Sequence, residues 1–338
     1  MQRKRCSTGL SQRARLRRAL AAVLTFAPGA IHGQVTADSG LASGLALYDA
    51  GNRTAAVPLL EPYGKTSAVA AFYLGRAALD DGRFGPAVDW FERAVALDRE
   101  NPIYWDRLGQ AYAGHALESD FFMKYKLAHR CKSAFEKAVA LDSTNLDART
   151  DLIEYYAQAP GIVGGDRQRA RDMSVALGQW APYYGLQSML ITCRVSRDST
   201  CVRATADSLM ATFPDSSLGY VAQADRFVEG EQYDSAFAVL DRRLAMRPDD
   251  WQTLYEFGRV GAVSGQRLDD AATALERFIA SPVGANPSKR VQLSRAHSRL
   301  AQVFARTNLP DSARAEYQLA VTIDPKDGDA RKALRAYH

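Results

Sequence analysis

Apolar residues recur along this chain at intervals of three and four, with small residues set among them. The clearest run is Trp105-x2-Leu108-Gly109-x2-Tyr112, followed by Phe135-Glu136-Lys137-Ala138-x2-Leu141-Asp142. Spacing of this kind keeps the bulky side chains on one stripe of a helix. The closing half returns as Phe91-Glu92-Arg93-Ala94-x2-Leu97-Asp98, as Tyr317-x2-Ala320-x2-Ile323-Asp324-Pro325, and more loosely as Leu240-x2-Arg243-x2-Met246-x-Pro248. The opening half returns as Leu74-Gly75-x2-Ala78, Phe257-Gly258-x2-Gly261 and Leu300-Ala301-x2-Phe304. Phe91 to Phe135 spans 44 residues and Phe135 to Leu240 spans 105. Those are one period plus ten, and three periods plus three, of a repeat of about 34 residues. Pro248 and Pro325 would stop a helix, because proline lacks the N–H and clashes with the preceding turn. No segment alternates apolar and polar residues for long, so the pattern predicts helices and almost no strand.

The run Trp105–Tyr112 resembles the opening of a tetratricopeptide repeat, and the run from Phe135 to Asp142 its close. The resemblance implies an all-α, right-handed superhelical solenoid of stacked helix-turn-helix hairpins. Small residues at positions 8, 20 and 27 of the unit let two helices cross closely; in the best unit these are Gly109, Cys131 and Ala138. Trp105, Leu108, Tyr112 and Phe135 would fill the space around that crossing. About eight repeats, some degenerate, are expected over 38–327: 38–67, 68–101, 102–145, 146–182, 183–216, 217–250, 251–281 and 294–327. The third carries a ten-residue insertion around 117–127, and the fourth a long glycine-rich turn at 159–165. The fifth is placed by counting alone. A linker covers 282–287, and 328–338 would form a C-terminal capping helix over the last apolar face.

The first 33 residues differ from the rest. They hold seven arginines and lysines and no acid, then an apolar run over 19–26 and small residues. This is the layout of a cleaved signal peptide, 1–33, with an organelle presequence or a basic tail as the other readings. The apolar run is too short for an ordinary membrane span, so no stable membrane insertion is expected after cleavage. The whole chain carries +5; without the leader, 36 Lys and Arg face 38 Asp and Glu, or −2. The basic character therefore belongs to the leader, and no nucleic-acid partner is expected. The expected location is exported, periplasmic or secreted.

Chemistry is sparse. Gly64-Lys65-Thr66 resembles the end of a phosphate-binding loop, but Leu59 stands where that motif needs another glycine. The glycines at 161, 164 and 165 follow a helix and lack the dinucleotide pattern. A similar Ala-Pro-Gly-Ile-Val-Gly-Gly element occurs in exported bacterial tetratricopeptide repeat proteins, and a long loop on a rigid scaffold is a place for binding specificity. The histidines are scattered, no local nucleophile motif appears, and Asp80-Asp81, Asp249-Asp250 and Asp269-Asp270 read as helix caps. No cofactor, metal or catalytic residue is assigned. Cys131 suits packing. Cys193 and Cys201 bracket a turn and are a possible disulfide.

In the repeats that this chain resembles, positions 2, 5, 6, 9 and 12 of the first helix line a concave groove. Carried over, they name Phe72, Tyr73 and Arg76; Asp106, Arg107 and Gln110; Asp147, Thr150 and Glu154; Tyr255, Glu256 and Arg259; and Arg295, Arg299 and Gln302. The lysine and asparagine clamp that some of these domains use for carboxyl-terminal tails is absent. The expected function is a non-catalytic protein–protein interaction scaffold in the bacterial cell envelope, holding a partner peptide or helix in the groove. The alternative is a helical-toroid-like enzyme acting on a glycan or peptidoglycan.

Overall fold

The computed structural model describes residues 32–282 and 290–337. The leader lies outside the described residues except for its last two, as does most of the 282–287 linker. Among the described residues there are seventeen α-helices and no strand. They pair as α1 (His32–Asp49) with α2 (Arg53–Leu60), α3 (Ala68–Asp80) with α4 (Phe84–Leu97), and α5 (Pro102–Glu118) with α6 (Phe121–Leu141). Next come α7 (Leu146–Gln158) with α8 (Arg167–Gly178), α9 (Pro182–Val195) with α10 (Ser199–Thr212), and α11 (Ser217–Glu229) with α12 (Tyr233–Met246). The last pairs are α13 (Trp251–Ser264) with α14 (Leu268–Ile279) and α15 (Arg290–Arg306) with α16 (Pro310–Ile323), followed by α17 (Gly328–Leu334). Every substantial helix packing joins elements one or two apart in the chain, as in a quasi-one-dimensional stack. First helices touch the next first helix at α1–α3, α3–α5, α5–α7, α7–α9, α11–α13 and α13–α15. One contact reaches further: Lys326 Nζ lies 3.2 Å from Glu118 Oε1, so the array curls enough to bring the turn after α16 to the end of α5.

Glycine sets how closely the paired helices approach. A Cβ placed on Gly109 would lie 2.5 Å from the Phe135 ring, and one on Gly75 2.8 Å from the Phe91 ring. On Gly44 it would meet Leu60 at 2.8 Å, and on Gly258 it would collide with Leu275. The large partner sits over the missing side chain, and each is buried: Phe91, Leu60 and Leu275 are 0 % exposed and Phe135 4 %. Trp105 departs from expectation. It is only half-buried, with its indole Nε1 donating to the Arg99 carbonyl at 2.8 Å, while its neighbour Tyr104 takes the buried place.

Polar residues finish the helices and join the units. Asn101, Asp120, Asn145, Asp166, Asp198 and Asp250 accept from backbone N–H groups of the first turns that follow them. Arg243 stands at position 27, where the repeat favours a small residue. Its guanidinium escapes the crossing to bond the Pro214 carbonyl at 3.0 Å, the Asp215 carbonyl at 2.7 Å and Asp250 Oδ2. One period later Arg277 repeats the device on the Pro248 carbonyl at 2.9 Å and Asp249 at 3.0 Å.

In the fifth hairpin the tightest approach moves from within the pair to between pairs. Gly185 of α9 presses on the backbone of Gly178 in α8, which explains why this unit carries the poorest pattern. Its core is small: Leu190, Cys193, Val202, Ala206 and Leu209, joined by Ala222 of α11. The structure brings Cys193 and Cys201 across the turn with Cα atoms 5.7 Å apart, within the span of a disulfide. A bridge over so short a loop would contribute about 2–3 kcal/mol in the chain-entropy account. A non-reducing digest of protein purified in air is expected to yield the Cys193 and Cys201 peptides linked. Recovery of both as freely alkylated thiols would contradict the bridge.

Candidate functional site

The two departures from the regular repeat meet at one place. The insertion at 117–127 is helical: it extends α5 to 17 residues and α6 to 21, against 13 and 14 in α3 and α4. Ser119 and Asp120 make the tip between them, and Asp120 Oδ1 caps α6 by accepting from Met123 N at 3.0 Å. The long turn after α7 is a 3-10 turn, Gly161–Val163, closed by Gly165 N donating to the Pro160 carbonyl and Asp166 N to the Tyr156 carbonyl. Gly164 is left-handed at φ 87°, and a side chain on Gly165 would strike the Ala159 carbonyl, so both glycines are required. Tyr155 ties this turn to α6; its hydroxyl lies 2.7 Å from the Val163 carbonyl and 2.9 Å from that of Ala128. Between the lengthened α5 and α6, α7 and the turn lies a pocket of about 460 Å³. Its walls include Ala113, Leu117, Ala128, Phe135 and Val163, and its polar groups include Gln110, Asp151 and Glu154. Leu117, Phe121, Phe122 and Ile162 are 78 %, 74 %, 84 % and 73 % exposed, an apolar fringe on the same lengthened tip and turn.

The polar floor is crowded with carboxyls. Gln110 Nε2 donates to Asp151 Oδ2 at 2.6 Å and to Asp106 Oδ2 at 3.3 Å. Arg107 donates to Gln110 Oε1 at 2.7 Å and pairs with Asp147 at 3.5 Å. Asp106 is 2 % exposed, and its Oδ1 receives no donor. Burial first, and then the charge of Asp151, push the Asp106 carboxyl up from 3.8 to about 7. Asp151 is raised too, chiefly by burial. The two carboxyls act on one another, and Gln110 Nε2 donates to both. Burial and then Asp151 also raise Glu154. Cys131 lines the pocket, and burial pushes its thiol up to about 12, so it stays a neutral packing group and no nucleophile.

The remaining sequence-predicted groove residues fall into two further groups. In the second hairpin Arg76 lies over three rings: 5.1 Å from the centroid of Tyr48, 5.3 Å from Tyr73 and 5.8 Å from Phe72. In the seventh and eighth, Arg259 pairs with Glu256 and Asp225, and Asp225 also holds Arg194 at 2.7 Å. Arg295, Arg299 and Gln302 line a hollow of about 350 Å³ with Asp324 and Asp327. Tyr255 stands between these sets; burial raises its phenol, while Arg299, Arg295 and Arg259 act the other way. Two expectations change. Asp106, expected to face a groove, is buried behind Gln110. Thr150 turns its hydroxyl back to the Leu146 and Asp147 carbonyls of its own helix. Asp151 was missed, although it holds position 6 of its unit, the place of Tyr73 and Arg107 in theirs.

The tetratricopeptide repeat family profile matches residues 41–102, 221–289 and 261–328, which together take in half of the 338 residues. The chain belongs to the tetratricopeptide repeat family. The repeats make it an all-α solenoid of protein-interaction type. No curated protein matches it. Among solved structures it is similar to YrrB, a TPR protein described as having an unusual peptide-binding site, at 16 % identity and TM-score 0.30, covering 72 % of this chain and 97 % of that one. It is similar to a tetratricopeptide repeat protein from Parabacteroides merdae at 10 % identity and TM-score 0.49, covering 79 % and 97 %. It is also similar to PilW, a type IV pilus biogenesis factor, at 13 % identity and TM-score 0.38, covering 79 % and 98 %. Among the described residues no helix is long and apolar enough to cross a membrane, and no cluster of histidine, cysteine or acid could hold a metal ion.

The buried acid makes a prediction about pH. An unfolded aspartate releases its proton near pH 4, whereas folded Asp106 keeps it to about 7. The folded chain therefore binds more protons between those values, and this group's contribution to stability falls as pH rises through that window. Asp106→Asn removes the penalty. The variant is expected to gain on the parent by on the order of 1–2 kcal/mol near pH 8 and to gain little near pH 4. Urea denaturation at both pH values checks this; an offset independent of pH would show that Asp106 is not held neutral by burial.

Proposed function

We propose that the chain is a non-catalytic scaffold of the bacterial cell envelope, exported to the periplasm or secreted. It binds a peptide or helix of a partner protein along the face formed by its first helices. The observation that carries this reading is the convergence of the long insertion and the long turn on one walled pocket. A repeat array gains nothing in stability from an extra tip bearing exposed Leu117, Phe121 and Phe122; exposed apolar patches of this kind mark interaction surfaces. Phe72, Tyr73 and Arg76 on one side, and Tyr255, Glu256, Arg259, Arg295, Arg299 and Gln302 on the other, would extend the contact. The basic, acid-free leader supports export.

The carboxyls of the pocket argue against a hydrolase acting on a glycan or peptidoglycan. Such chemistry needs two carboxyls on opposite sides of the scissile bond. Asp151 and Glu154 lie three residues apart on one face of α7. Asp106 lies behind Gln110, whose amide donates to both it and Asp151, and it does not line the pocket.

A photo-crosslinking residue at position 117, compared with one at exposed Val175 on α8, tests the reading in cells. Position 117 is expected to give a discrete adduct with one partner polypeptide in the envelope fraction, and position 175 none. Equal labelling from both positions, or the protein remaining in the cytoplasm, would overturn it.

A further inference from the structure

We infer that the pocket between α5, α6 and α7 takes the side chain of a lysine from the partner polypeptide, with an apolar neighbour of that lysine resting against Leu117. The inference rests on the scaffold reading and names what the pocket selects.

The pocket is apolar along its walls and unbalanced in charge at its floor. Both charged residues of its lining, Asp151 and Glu154, are acids, and behind them the Arg107 guanidinium lies 3.9 Å from Asp106 and 3.5 Å from Asp147. That guanidinium is already engaged with Gln110 Oε1 at 2.7 Å and Asp147 at 3.5 Å. The Gln110 amide spends both of its hydrogens on Asp151 and Asp106. Glu154 accepts from Gln158 at 2.6 Å. No protein donor is left for Asp106 Oδ1, which is buried behind the pocket floor beside Asp151. A cationic donor entering the pocket would meet Asp151 and Glu154, while Asp106 lies behind Gln110 and acts on it only through its charge. An anion would be repelled, and a purely apolar group would leave buried carboxyls without solvent or partner. An ammonium brings three donors and one compact charge. Ala113, Ala116, Leu117, Ala128 and Phe135 wall the approach with hydrocarbon, which suits the methylene stem of a lysine. The volume of about 460 Å³ exceeds one lysine side chain, leaving room for the adjoining residue at the Leu117 end.

An ammonium seated beside Asp151 opposes the proton uptake that burial favours in this pair of acids. The charged groups facing them are Arg107 on α5 and Asp147 and Glu154 on α7, while α6 presents the neutral thiol of Cys131. Binding therefore releases a proton and tightens as pH rises through neutrality, while the lysine itself stays charged.

Titration calorimetry on the full chain, with acetyl-leucyl-lysyl-leucinamide and the same tripeptide carrying norleucine for lysine, tests this. The lysine peptide is expected to bind about tenfold tighter than its isostere. That preference should grow from about pH 6 to about pH 8. Asp151→Asn should abolish it. Glu154→Gln, at the exposed edge of the pocket, should weaken it, and serves if Asp151→Asn does not fold. Equal binding of the two peptides, or a preference unchanged in both variants, would overturn the inference. Tighter binding of 1,5-diaminopentane than of the lysine tripeptide would also overturn it, by assigning the pocket to a free amine. Loss of the lysine preference alongside intact crosslinking from position 117 would leave the scaffold reading standing and remove this one alone.

Discussion

The structure depends on how close two helices can come. Where Gly44, Gly75, Gly109 and Gly258 stand, a side chain would overlap the leucine or phenylalanine of the partner helix. The missing Cβ and the covering side chain form one unit of packing, repeated along the stack. It places the paired axes near enough that the stripes of Leu108, Tyr112 and Phe135 bury one another, and it leaves the next hairpin an apolar face to cover. Because each hairpin needs its neighbours, the chain is held by a succession of local contacts, and almost nothing binds residues far apart in sequence.

Against that regular background the third and fourth hairpins stand out. Their insertion adds helix without adding core: Leu117, Phe121 and Phe122 lie in the open, while Leu127, Cys131 and Phe135 nearer the base are buried. The turn at Gly161–Val163 closes the far side, tied to α6 through Tyr155. The pocket floor works against stability, since the carboxyl of Asp106 is buried and that of Asp151 half-buried beside it. A desolvated pair of acids costs free energy that a stack of hairpins has no structural need to spend, and such local conflicts concentrate where a protein meets its ligand. The lysine inference draws on this conflict, whereas the scaffold reading rests on the pocket and its exposed fringe.

Much of the architecture is legible in the sequence, because small residues at fixed spacing are a direct record of close helix crossings. Gly75, Gly109 and Gly258 mark three of them. The fifth hairpin is illegible for a physical reason: its closest approach lies between Gly178 and Gly185, across hairpins, outside the pattern that spacing within a unit records. Arg243 and Arg277 look like failures of the repeat in sequence, yet they work by reaching out of the crossing to the turns between units. The candidate site is half legible. The insertion and the glycine-rich turn are visible as irregularities, and Gln110 and Glu154 fall at expected positions. Their convergence is not visible, because it depends on the insertion continuing as helix. Nor is the burial of Asp106, which depends on the neighbouring α7 lying over it.

The central claim is that the absent side chain at position 109 and the ring of Phe135 form one packing element. A double-mutant cycle on unfolding free energy tests it, using Gly109→Ala, Phe135→Leu and the pair. The account predicts that the alanine is strongly destabilising beneath the ring and much less so beneath leucine, with a coupling of at least about 1 kcal/mol. Additive effects, with the alanine costing the same in both backgrounds, would contradict it.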